Sequence, residues 1–134
     1  MSSLFEKLSP WTDLAGRVLI ALIFVMSGWG KIGGYADTQG YMGAMGVPGA
    51  LLPLVIATEL GGGLLVVFGL FTRYAALALA GFSILSAVLF HGNGADHMQQ
   101  IMFMKNLAMT GGFLVLVARG AGAISIDQRL SNAR

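Results

Sequence analysis

Cysteine is absent from this chain. Disulfides, thiol nucleophiles, iron–sulfur ligation and CxxC redox chemistry by this polypeptide are therefore excluded. Charge is almost as scarce. Eight Lys and Arg and six Asp and Glu make up 10% of 134 residues, against about 25% in a typical soluble protein. So few charges cannot coat a water-exposed surface, and lipid is the solvent that accepts what remains. The net charge is only +2. No basic patch interleaves with aromatics, so nucleic-acid binding has no support. There is no repeat of fixed period and no low-complexity tract, and the length suits one domain.

What fills the chain is apolar. Hydrophobic residues account for 56% of it, and the mean hydropathy is +0.77. A spanning helix needs about 20 mostly apolar residues, and four runs qualify: Leu14 to Gly30, Ala50 to Phe71, Tyr74 to Phe90 and Ile101 to Ala118. The expected fold is an all-α membrane protein, a four-helix transmembrane bundle forming one domain over residues 1–134. The first run resembles a signal peptide in position only. Lys7 is offset by Glu6 and Asp13, and no A-x-A-like site follows, so the run is expected to remain as a helix.

The connections are unequal. Thr72 and Arg73 are expected to form a tight turn. Residues 32–49 are long enough for a short helix over Thr38 to Met45, capped by Asp37 and ended by Pro48. Residues 91–100 read as a polar loop, and 119–134 as a tail with one or two amphipathic turns. Lys7, Arg17, Arg73, Arg119, Arg129 and Arg134 fall on one side of such a bundle, and Lys31 and Lys105 on the other. This bias predicts both termini in the cytoplasm. Arg17, Arg73 and Arg119, at helix ends, are expected to snorkel to headgroups.

Glu59 is the exception among the charges. It lies about 13 Å into its helix at 1.5 Å per residue, near the middle of a bilayer, where a charge needs a reason. Gly62 and Gly63 follow it by three and four residues and share its face, and a small-residue face packs on other helices. Lys31, His91, Lys105 and Asn106 sit at the outer ends of the other three helices as candidate partners. Two readings stay open: an internal ion pair with Lys105 that orders the bundle, or a ligand or proton site. Glu59, His91 and Lys105 are the proton-exchange candidates. Trp29, Tyr41 and Phe103 lie near the expected mouth of such a site, although they also suit an interfacial aromatic belt. A cavity is expected to reach Glu59 between helices one, two and four. His91 and His97 lack the i, i+4 spacing of a helical metal pair, so no metal site is expected from them with Glu59 and Asp96.

Arg17, FVMSGWGKIGGY at 24–35, MGVPG at 45–49, ELGGG at 59–63, GLFTR at 69–73, His91, MKNLAMTGG at 104–112 and GAGAISID at 120–127 together resemble the DoxX family of small bacterial inner-membrane proteins. The resemblance runs over nearly the whole chain. Lys31, Glu59, His91, Lys105, Asn106 and Asp127 match motif positions of the family. It implies a four-helix bundle in the bacterial inner membrane and a quinone-linked role as a subunit of a redox or oxidative-stress system. The chain has no haem or flavin motif, so the electrons would have to be carried by a bound quinone or a redox protein partner. A small proton or solute transporter and a structural membrane partner are the alternatives. A homo-oligomer is left open.

Overall fold

A computed structural model describes residues 2–92 and 96–133. It consists of helices and turns, with no strand among the described residues. The long helix α1 covers Ser2–Gly33 and the short α2 Tyr35–Ala44. Next come α3 over Gly49–Phe68, α4 over Thr72–His91 and α5 over His97–Arg119. The chain ends in α6, Ile126–Asn132. α1, α3, α4 and α5 are each long and apolar enough to cross a membrane. α4 and α5 form the most extensive pair, α1 packs chiefly along α3, and α3 also packs on α4.

The core is small and tightly filled. Phe24 of α1, Phe82 of α4 and Phe113 of α5 meet edge to face, with Phe24 5.4 Å from Phe113 and 6.2 Å from Phe82. Ala75, Ala76, Leu79, Ala80, Ser83 and Ala87 are buried along one stripe of α4, the small-residue packing that membrane helices use in place of a hydrophobic drive. α1 and α3 approach most closely at two glycines. A Cβ on Gly28 would lie 2.8 Å from the backbone N of Leu60, and one on Gly63 would lie 2.9 Å from Val25 Cγ2. Large apolar side chains such as Leu19, Met26, Leu85 and Val115 point outward, as lipid requires.

Several expected boundaries move. α1 begins some twelve residues before Leu14 and carries Pro10 inside it. α3 stops at Phe68, short of the expected Phe71. Gly69 there takes φ +70°, while the Leu70 and Gly69 N–H groups bond back to the Leu65 and Val66 carbonyls, closing the helix with a left-handed glycine. The tight turn is therefore residues 69–71, and Thr72 already belongs to α4. α2 starts at Tyr35, so Asp37 sits in its first turn, favourable to the helix dipole, and does not cap it. Of the expected loop 91–100, His91 closes α4 and His97 opens α5, with Asp96 capping α5 by accepting the Met98 N–H. Residues 93–95 lie outside the described residues.

Candidate functional site

Glu59 is buried, with its residue 3% exposed. Its helix widens there into a π turn, Ala57–Gly61. Such a turn inserts a residue into the α-helical ladder and recurs at functional sites. It places the carboxylate against α1, where Lys31 Nζ lies 2.5 Å from Oε1. Lys31 also donates to Ser27 Oγ at 2.7 Å, one turn back on α1. The two ends of the pair differ: the Lys31 side chain is 27% exposed and that of Glu59 5%. An ammonium at the surface thus reaches inward to a buried carboxylate. The tight crossing of α1 and α3 at Gly28 and Leu60 is one residue from Glu59 and three from Lys31, and it fixes the distance between them.

The other expected site residues are arranged differently. Lys105 does not pair with Glu59. Its ammonium contacts Met102 Sδ at 3.7 Å, and it lines an open groove with His97, Gln100, Ile101 and Met104. Neither Glu59 nor His91 is in the wall of that groove. The cause is the choice of neighbours: α3 packs on α1 and α4, while Lys105 leans toward the preceding turn of its own helix, to Met102. His91 is tied by Nδ1 to Gln99 Oε1 at 2.6 Å. Asn106 is buried, and its backbone carbonyl accepts the Thr110 hydroxyl. Tyr41 stacks on Phe90 at 5.5 Å and 16°, laying α2 against the end of α4. Trp29 is 70% exposed, and Phe103 is half-buried.

A second polar assembly occupies the opposite end of the bundle. Arg17 is buried and does not snorkel. Its guanidinium donates to the carbonyls of Ala121 at 2.5 Å, Ile124 at 2.9 Å and Val67 at 3.3 Å. Val67 lies in the last turn of α3, where carbonyls lack helical partners and favour a cation. Asp127 completes the assembly by accepting the N–H groups of Phe71 at 2.7 Å and Thr72 at 2.9 Å. Its own N–H bonds the Gly69 carbonyl. These bonds hold Phe71 at φ +49°, a left-handed conformation unusual for a bulky residue. Burial pushes the Asp127 carboxyl up. The Thr72 and Phe71 donors and the charge of Arg17 outweigh that, and it sits below the ordinary carboxylate value.

Ser27 and the role of Arg17 are what the sequence reading missed. The signal for Ser27 was its place four residues before Lys31, on the same helix face. No sequence signal marks the role of Arg17, because its partners are backbone carbonyls.

The profile of the DoxX family matches residues 12–92. This chain belongs to the DoxX family. Its DoxX relatives include inner membrane protein YqjF of Escherichia coli (strain K12), 54% identical over 126 residues, covering 94% of this chain and 97% of the relative. Inner membrane protein YphA of the same organism is 35% identical over 132 residues, covering 93% and 94%. A Bacillus subtilis (strain 168) relative, named "Putative oxidoreductase CatD", is 32% identical over 108 residues, covering 75% and 80%. No solved structure matches the chain.

Proposed function

We propose that this DoxX protein spans the bacterial inner membrane four times with both termini in the cytoplasm, and serves as a quinone-linked membrane subunit of a redox system. The Lys31–Glu59 pair is its working site. The observation that carries the reading is the asymmetry of that pair: a buried carboxylate in a π turn, reached by a partly exposed cation. The residues suit a quinone headgroup. Lysine has three N–H donors; Ser27 and Glu59 take two, and the third can meet a ring carbonyl. A bound quinone would supply the electron-accepting ring. Electrons would come from a protein partner, because the chain has no cysteine and no haem or flavin motif. Lys31 would orient the headgroup, and Glu59, on its inner side, would hold or release a proton. The names of the relatives support the location and, through CatD, a redox setting.

The test is extraction of quinones from protein purified in native-lipid particles, quantified by mass spectrometry. Wild type is expected to retain quinone above the level of an unrelated four-helix membrane protein, and Lys31→Met to lose most of it. Wild type at the background level would refute the reading. One observation favours a structural role for the same pair: it is closed and short between two helices. In that case Lys31→Met destabilises the protein, yet no variant changes quinone content. Topology is tested separately. Reporter fusions at residue 40 are expected to read periplasmic and at the C-terminus cytoplasmic.

A further inference from the structure

The groove on α5 has its own chemistry, independent of the Lys31–Glu59 site. It is open, with a volume of about 480 Å³, and its walls are His97, Gln100, Ile101, Met104 and Lys105. These positions recur at intervals of three and four, so they form one stripe along the helix. The stripe is graded. His97 stands at the start of α5, Ile101 and Met104 are exposed apolar side chains further along it, and Lys105 follows Met104, half-buried.

Lys105 differs from Arg17 and Lys31, the cations set deep in α1. Arg17 has three carbonyls and Lys31 has Glu59. Among the described residues Lys105 has only a thioether, Met102 Sδ, and no counter-charge. An ammonium without an anion is costly at membrane depth, and such groups find partners or rise to the interface. Lys105 is eight residues into α5, about 12 Å below its start. The Met102 contact shows the side chain leaning back one turn toward that start, the direction in which a lysine snorkels toward headgroups. Asp96, the acid at that end, is engaged in capping α5.

We infer that this groove is a site for an anionic phospholipid, with Lys105 and His97 holding the headgroup phosphate and an acyl chain lying along Ile101 and Met104. Basic pockets at a membrane edge select anionic headgroups by charge. A zwitterionic lipid brings its own cation to the same place and gains less.

Native mass spectrometry of the full chain, titrated with phosphatidylglycerol or phosphatidylcholine of identical acyl chains, tests this. Phosphatidylglycerol adducts are expected to be retained several-fold more than phosphatidylcholine adducts. The preference is expected to vanish in Lys105→Gln and return in Lys105→Arg. Ile101→Trp, a change at an exposed position that fills the groove while keeping the charge, is expected to lower retention as well and serves if Lys105→Gln does not fold. Lys7→Gln, which removes a cation at the other end of the molecule, is expected to change nothing. Equal retention of the two lipids by wild type overturns the proposal. So does a loss with Lys7→Gln as large as that with Lys105→Gln.

Discussion

Removing either partner of the Lys31–Glu59 pair leaves a charge behind, and the structure says the two losses are unequal. In Lys31→Met, the Glu59 carboxylate stays 5% exposed inside the α1–α3 contact, with no cation beside it. Breaking a buried pair in this way costs about 3–5 kcal/mol. In Glu59→Gln, the Lys31 side chain is already 27% exposed and keeps Ser27. It can turn outward to water and headgroups, so the loss approaches that of one charge-assisted hydrogen bond, about 1.5–3 kcal/mol. The double variant leaves neither charge behind and is expected to be no worse than Glu59→Gln alone. A cycle built from the four proteins should then give a coupling of at least about 3 kcal/mol, the full Lys31→Met penalty and the top of the range for groups in contact. Reversible denaturant unfolding in detergent micelles, followed by circular dichroism, supplies the free energies. Equal single penalties would mean that Glu59 is not the more buried partner. A coupling below about 0.5 kcal/mol would mean that the pair does not exist in the folded protein.

Three further expectations concern the rest of the bundle. Arg17→Lys is expected to destabilise by at least about 2 kcal/mol, since one ammonium cannot serve three carbonyls arranged around a planar guanidinium; limited proteolysis should then cut residues 120–133 faster than in wild type, and an unchanged pattern would argue against Arg17 holding that segment. Asp127 is held below the ordinary carboxylate value, so its contribution is fully present above about pH 4 and is lost as pH falls through the lower folded value. Unfolding free energies measured from pH 7 to pH 3 should show an acid slope in wild type that Asp127→Asn reduces. Gly28→Ala would push a methyl group against the Leu60 backbone and is expected to cost about 1–3 kcal/mol by overpacking, with Gly30→Ala, which meets nothing within 4 Å, as the neutral comparison in the same melts.

Four helices were legible in the chain because lipid demands a coarse signal. About 20 apolar residues per crossing is a count, and scarce charge leaves few ways to misread it. The special status of Glu59 was legible for the same reason: a carboxylate amid ATELGGGLLVV has no bland explanation in hydrocarbon. Glycines near it marked close helix contact, and Gly63 and Gly28 supply that contact. The family motifs were also visible as strings. Which lysine meets Glu59 was not readable. Lys31 and Lys105 both sit toward the same end of the bundle, and a pattern of apolar residues does not say which helix lies beside α3. The π turn that aims Glu59 at α1 depends on packing, and no propensity announces it. The burial of Arg17 was not readable either, because its partners are backbone carbonyls of Val67, Ala121 and Ile124, which look alike in every sequence. Its burial exists only once the left-handed turn at Gly69 and Phe71 brings the end of α3 beneath the returning tail. Composition and spacing thus determined the solvent, the number of crossings and the residues under stress. The tertiary structure decided which of those residues meet, because a pairing depends on helix neighbours, side-chain direction and backbone groups that composition does not encode.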